Sequence, residues 1–174
     1  MATLVLTVSG DVRSGLVSAL SGVIAVHGGS WERSQMARLA GKFAGIVQVV
    51  VPDHQVDALV ADLRPLSAQG LLDITAGPGA DEQPPGTGLV RLSLELVGAD
   101  RPGIVHDISS ALASRQVSIE ELHTATREAP MGGGLLFEAS ATLLAPSGAP
   151  VDDLRAVLEA LADELMVDLS LSTD

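Results

Sequence analysis

The stretch Gly98–Ile108, with the sequence GADRPGIVHDI, joins two segments of different hydrophobic periodicity. Before it, apolar and polar residues alternate, which is typical of a half-buried β-strand. After it, apolar residues recur at helical spacing, beginning with Ile104, Val105 and Ile108. The stretch Gly10–Leu20, with the sequence GDVRSGLVSAL, makes the same transition 88 positions earlier. The repetition of this junction indicates that one fold is built twice in the chain.

The rest of each repeat follows in the same order. In the second repeat, a β-leaning segment (Val117–Arg127) is followed by a turn (Glu128–Gly134), an alternating segment, a helical pattern and a final alternating segment. Phe43–Pro52 and Phe137–Pro146 share one Phe-to-Pro spacing at an offset of 94, so the second hairpin is six residues longer. The order βαββαβ, written twice, predicts an α+β protein of two ferredoxin-like domains, each a four-stranded antiparallel sheet with two helices on one face.

Between the repeats lies a segment rich in Gly and Pro, Ala76–Gly88, with the sequence AGPGADEQPPGTG. It has no apolar periodicity and reads as a linker. We therefore predict a first domain over 1–76, a linker over 77–88 and a second domain over 89–174. A sheet with helices on one face leaves its other face bare, so we expect sheets to pair, and a homodimer. The small residues Ala139 and Ala141 are predicted to suit sheet-against-sheet or edge contacts.

Composition excludes several classes of protein. The 174 residues include 10 basic and 22 acidic side chains, a net charge of −12, which argues against direct nucleic-acid binding. Cysteine is absent, so there is no disulfide framework and no thiolate site. The first ten residues, MATLVLTVSG, lack the basic segment of a signal peptide, and no apolar run reaches the length of a membrane span. We expect a cytoplasmic protein without membrane contact.

The sequence offers no catalytic constellation. The histidines His27, His54, His106 and His123 do not occur in an H-x-x-x-H or H-E-x-x-H spacing. Glu120 and Glu121 are adjacent on a predicted strand and so point to opposite faces. Neither a phosphate-binding P-loop nor a G-x-S-x-G elbow is present. We expect no enzymatic activity, no metal and no cofactor.

The loop of the second repeat has the parts of a receptor for an α-amino acid. Gly98 allows a tight departure from the strand, and Pro102 suits the first turn of the following helix. Free backbone N–H groups at a helix start meet the positive end of the macrodipole and fit a carboxylate. Asp100 beside them fits an ammonium group, or caps the helix, or does both. The N–H groups that would bind the carboxylate are those of Gly103, Ile104 and Val105.

The segment 95–124, ELVGADRPGIVHDISSALASRQVSIEELHT, resembles ACT domains, which are amino-acid-sensing modules of metabolic regulation. The shared features are the G-x-D-R-P-G-[IV]-V loop, the helix after it and a V-x-I second strand. The first repeat resembles the pattern more loosely, because Val12 stands in the place of Asp100 and Ser14 in that of Pro102. Two such units without a catalytic or DNA-binding domain are similar to the glycine cleavage system transcriptional repressor family.

The resemblance implies a bound small amino acid, of the glycine or serine class, at the loop between the first strand and the first helix. The ligand residues it implies in the second repeat are Asp100, Arg101, Pro102, Gly103, Ile104 and Val105, with Ile119 and Glu120 as wall residues from a neighbouring unit. Those it implies in the first repeat are Gly10, Asp11, Arg13 and Gly15, where the site is altered or empty.

The resemblance also implies a regulatory protein that acts through a partner protein in transcriptional control of glycine and one-carbon metabolism. Because the chain is acidic, we expect a DNA-binding partner rather than direct contact with nucleic acid. The alternative is a ligand-independent interaction scaffold that pairs through its sheets.

Overall fold

The computed structural model describes residues 1–80 and 88–173, which fall into two compact units. Each unit has the order βαββαβ. The elements of the first unit are β1 (Ala2–Asp11), α1 (Leu16–Val26), β2 (Ser30–Leu39), β3 (Lys42–Val51), α2 (Val56–Ala68) and β4 (Asp73–Pro78). Those of the second unit are β5 (Leu89–Ala99), α3 (Ile104–Ser114), β6 (Ser118–Glu128), β7 (Leu135–Pro146), α4 (Val151–Leu165) and β8 (Val167–Thr173).

Each unit folds around one four-stranded antiparallel sheet. The strand orders are β2-β3-β1-β4 and β6-β7-β5-β8, so the first strand of each unit is central and the second lies at an edge. Apolar residues from both helices and from one face of the sheet form a core in each unit. The predicted α+β class, with two ferredoxin-like units that carry their helices on one face, is confirmed.

Alternation along β5 reflects burial of every second side chain. Leu92, Leu94 and Leu96 are at most 5% exposed and face the helices. The expectation that Ala139 and Ala141 suit contacts of the bare face is wrong. Both lie on the helix side of β7, opposite Leu96 and Leu94, and contribute to the same core. Their small side chains leave room beneath the helices.

The boundary between the units differs slightly from the prediction. Strand β4 continues to Pro78, so the first two residues of the predicted 77–88 linker belong to a strand. Residues 81–87 of that linker lie outside the described residues. None of the helices in the two described ranges is long and apolar enough to cross a membrane.

Gly98 has a different role from the predicted one. Strand β5 continues through it to Ala99, so the chain does not leave the strand there. A Cβ at Gly98 would lie 2.3 Å from Cγ1 and 2.9 Å from Cα of Val167, its partner on β8. Gly10 is equivalent in the first unit, since its Cβ would lie 2.7 Å from the carbonyl oxygen of Leu71. Both glycines are needed because the chain approaches closely, at the start of the last strand for Gly98 and just before it for Gly10.

We predict that Gly98→Ala destabilises the protein by about 1–3 kcal/mol, because the added methyl group overpacks the β5–β8 contact. The free energy of unfolding from urea denaturation measures the change. Gly148→Ala is the control, since a Cβ there would meet nothing within 4 Å. It should change stability by less than about 0.5 kcal/mol. Equal effects of the two variants would contradict the packing account.

His27 joins both helices of the first unit. It follows the last residue of α1, and its side chain is only 9% exposed. Its Nδ1 lies 2.9 Å from Oε1 of Gln55, and its Nε2 lies 2.9 Å from Oδ2 of Asp62 on α2. Both partners are acceptors, and only the imidazolium form donates from both ring nitrogens. The hydrogen bond with Gln55, and then that with Asp62, raise the pKa of His27 above its ordinary value of 6.5.

The raised pKa predicts a pH dependence of stability. The folded state binds a proton more tightly than the unfolded state, so the stabilisation is complete below pH 6.5 and is lost as the pH rises through the folded pKa. Denaturation at a series of pH values should show this loss in the wild type. His27→Gln should remove it, whereas the exposed His54, changed to Gln, serves as the control. An unchanged pH profile in His27→Gln would rule out the role of His27.

Candidate functional site

Helix α3 begins at the predicted loop with a glycine as its N-cap. Gly103 has a left-handed backbone, with φ 95° and ψ −6°, and no side chain caps the helix. Its carbonyl oxygen accepts the first helical hydrogen bond, from Asp107 N–H at 2.9 Å. The N–H groups of the first turn precede that bond and therefore have no partner within the helix. The predicted donors, Ile104 and Val105, are two of them.

Asp100 does not cap α3, because the N-cap position belongs to Gly103. Its backbone N–H instead donates to the carbonyl oxygen of Leu135 at 2.8 Å, which ties the loop to the start of β7. The side chain of Asp100 is exposed, and so is that of Arg101. The prediction that Asp100 caps the helix is therefore wrong. Its exposed carboxylate remains compatible with the predicted binding of an ammonium group.

Pro102 lies before the N-cap and outside the helix, so its predicted place in the first helical turn is wrong. Its ring fixes φ of the residue just before the left-handed Gly103, which restricts the approach of the loop to the helix. The loop of the first unit has Ser14 at the same place and keeps the left-handed glycine, Gly15, at φ 86°. The glycine is thus the shared requirement of the turn, and the proline is particular to the second unit.

Asp107 is a candidate that the sequence reasoning missed. It is in the first turn of α3, and its Oδ2 lies 3.9 Å from the position that a Cβ on Gly103 would take. A carboxylate here stabilises the helix start through the macrodipole and offers a second acceptor for an ammonium group. The sequence did contain a signal for this residue, because Asp107 is an acidic residue four positions after the loop glycine. The first repeat has Ala19 at the equivalent position.

An apolar groove runs from the start of α3 along the edge strand β6, and we call it the α3–β6 groove. It spans about 390 Å³, counting the part open to solvent. Every lining side chain except that of Ser109 is apolar, and the Ser109 hydroxyl donates to the carbonyl oxygen of His106. Its lining includes Ile104, Val105, Ile108 and Leu112 from the helix side, Ile119 and Leu122 from β6, and Phe137 and Ala139 from β7.

The structure separates the two residues proposed as a wall. Ile119 lines the same groove as Ile104 and Val105, but at the end away from the loop, since it pairs through Leu143 with Leu92 near the start of β5. Glu120 occupies a bulge of β6 and accepts a hydrogen bond from Arg91 Nε at 3.2 Å. Arg91 is near the start of β5, whereas the loop follows the end of that strand. Within one unit, Glu120 and the loop are therefore not brought together.

The loop of the first unit is arranged differently. Asp11 accepts a hydrogen bond from Lys42, which begins β3, and Val12 N–H donates to the carbonyl oxygen of Gly41 at 3.0 Å. The hydrogen bond and the charge of Lys42 lower the pKa of Asp11 below its ordinary value. The carboxylate of Asp11 is thus already paired with a cation. Gly10 is inside β1, and Arg13 is exposed.

The titratable side chains of the described ranges do not form a metal centre, since no three His, Asp or Glu residues converge there. His123 Nε2 lies 3.7 Å from Oε2 of Glu121, and both side chains are largely exposed. His106 is also exposed, on the first turn of α3.

Comparison with known proteins adds one family and two structures. Residues 2–76 match the model of a family described as ACT domain. A crystal structure of an unknown protein from Galdieria sulphuraria is 27% identical, with a TM-score of 0.87, and the match covers 99% of this chain and 98% of that one. A proposed glycine cleavage system transcriptional repressor is 18% identical, with a TM-score of 0.68 and coverage of 99% and 97%, which is a likeness of fold. A comparison with curated proteins finds none that matches.

Proposed function

We propose that this chain, whose first unit is an ACT domain and whose second unit has the same fold, is an amino-acid-binding regulatory protein. The ligand binds at the loop Asp100–Val105 of the second unit. The observation that carries this proposal is the left-handed N-cap Gly103, which leaves the first-turn N–H groups of α3 at an exposed loop without an intrahelical partner.

The chemistry of the loop matches both charged groups of an α-amino acid. A carboxylate accepts hydrogen bonds from the N–H groups at the start of α3, where the macrodipole favours negative charge. An ammonium group needs an anionic acceptor a short distance away, and the carboxylates of Asp100 and Asp107 flank the loop. Hydrogen bonds between charged groups are about twice as strong as neutral ones, so both ends of the ligand contribute to affinity.

The second unit is the better candidate for binding. In the first unit, Asp11 is paired with Lys42, and Val12 occupies the position of Asp100. An incoming ammonium group would have to displace Lys42 from Asp11 before it could bind there. The first-unit loop, with Gly10, Asp11, Arg13 and Gly15, therefore acts as a structural counterpart of the ligand loop.

Ligand binding is transmitted through contacts between proteins in this proposal. The edge strand β6 is exposed along all of its residues, and within its sheet it pairs with β7 alone. A ligand at the adjacent loop alters what this edge offers to a second copy of the chain or to a partner protein. The net charge of −12 favours a partner protein over direct contact with nucleic acid.

The ligand, pathway and location that we propose are suggested by the structural relative that is named for the glycine cleavage system. We propose glycine or serine as the first ligands to test, a role in transcriptional control of glycine and one-carbon metabolism, a cytoplasmic location and a homodimer. The groups at the loop suit reversible binding and form no nucleophile–base pair, so we propose a regulator and not an enzyme.

A second candidate function, a ligand-independent scaffold, is favoured by the exposed β6 edge and the helix-free faces of the sheets. In that case the edge would pair with another strand whatever the amino-acid concentration. Thermal unfolding in the presence of each of the twenty amino acids separates the two functions.

A bound ligand stabilises the folded state by RT ln(1 + [L]/Kd), which is about 2.7 kcal/mol at a hundredfold excess over Kd. We predict a raised melting temperature with at least one amino acid at millimolar concentration. Asp100→Asn and Asp107→Asn should each reduce the shift while the variants stay folded, and Asp11→Asn should leave it intact. If no amino acid moves the melting temperature of the wild type, the sensor function fails and the scaffold stands.

A further inference from the structure

On the basis of the proposed amino-acid binding, we infer that the ligand has a large apolar side chain, such as that of leucine, isoleucine, methionine or phenylalanine. The α3–β6 groove is the place for that side chain. Glycine and serine are named by the resemblance and by the structural relative, but neither has a side chain that would fill an apolar groove.

The groove and the loop are parts of one site. Ile104 and Val105 follow directly after the N-cap Gly103, and both line the groove. A ligand whose carboxylate binds the first-turn N–H groups therefore has its side chain at the groove entrance. The positive end of the α3 macrodipole complements the carboxylate, and the apolar lining complements the side chain.

The two repeats treat the equivalent space differently. In the first unit, Trp31 on β2 lies opposite Val49, and Met36 lies opposite Gly45. Both side chains pack against the core of that unit. A Cβ on Gly45 would lie 2.6 Å from Cγ of Met36, so the methionine lies directly over the glycine. The first unit thus covers its sheet with its own large apolar side chains.

The second unit lacks both of these side chains. Ile119 stands at the position of Trp31, and Thr124 at that of Met36, each 88 positions later. No residue of β6 belongs to the core of the second unit, whose described residues leave the groove uncovered along this strand. Val105 is 43%, Ile119 36% and Leu122 44% exposed. Among the counterparts in the first unit, Trp31 packs against the core, Ser34 is polar, and Val17 is as exposed as Val105. The difference between the units therefore lies along β6.

The comparison of the two units therefore indicates which kind of ligand would fill the groove. Where the first unit places an indole and a thioether, the second unit leaves uncovered a groove that begins at the proposed anion-binding loop. A free amino acid with a branched, thioether or aromatic side chain supplies both a carboxylate for the loop and an apolar body for the groove. A single extra methylene in an apolar pocket changes affinity by about tenfold or more, so we expect strong discrimination by size.

Isothermal titration calorimetry of the full chain with leucine, isoleucine, methionine, phenylalanine, glycine and serine tests the inference. We predict that at least one of the four apolar amino acids binds tenfold or more tightly than glycine and serine. Equal or tighter binding of glycine or serine overturns the inference and leaves the sensor function intact. Absence of binding by all six overturns the inference, and absence of a thermal shift with any of the twenty amino acids overturns the sensor function as well.

Two groove variants show where the selectivity arises. The double variant Ile119→Trp with Thr124→Met copies the first unit and should remove the preference for the apolar amino acid. Leu122→Ser also copies the first unit, which has Ser34 at that position. Because Leu122 is exposed, this variant can replace the double variant if the double variant does not fold. His123→Trp, on the opposite face of β6, is the matched control and should keep the preference. If Leu122→Ser and the folded double variant both keep wild-type selectivity, the groove is not the side-chain site.

Discussion

The left-handed glycine between the first strand and the first helix is the constraint on which both units depend. At φ 86° and 95°, Gly15 and Gly103 adopt a backbone that costs other residues roughly 1–2 kcal/mol, and each starts a helix without a side-chain cap. The turn directs the helix back over the sheet, so that its apolar residues reach the core. It also leaves backbone N–H groups at the helix start without an intrahelical partner, and the proposed carboxylate site in the second unit depends on them.

The two repeats use this shared turn for different ends. In the first unit, Lys42 pairs with the nearby carboxylate of Asp11, and Trp31 and Met36 cover the sheet beside α1. In the second unit, Asp100 and Asp107 flank the loop, and the groove along β6 is open. In the proposed function, the first copy is the closed structural partner, and the second holds the groups that bind the ligand.

The sequence predicted what depends on periodicity and missed what depends on close contacts. Alternation and helical spacing gave both βαββαβ units, since burial of one face leaves a direct pattern in the chain. The role of Gly98 was not predictable, because its neighbour Val167 is distant in the sequence and meets it only across the sheet. Asp107 was missed for a similar reason, since its proximity to Gly103 depends on how the helix begins. The groove was not predictable either, because its lining comes from α3, β5, β6 and β7, which meet only in the folded unit.

The central claim is that an amino acid binds with its carboxylate at the start of α3. Amide chemical shifts in a two-dimensional ¹⁵N–¹H spectrum, followed while the amino acid that binds is titrated, test it most directly. The account predicts that the amides of Ile104, Val105 and His106 move most, and that those of Leu16 and Val17 in the equivalent turn stay in place. Larger shifts at the first-unit turn, or shifts confined to residues away from both turns, would contradict it.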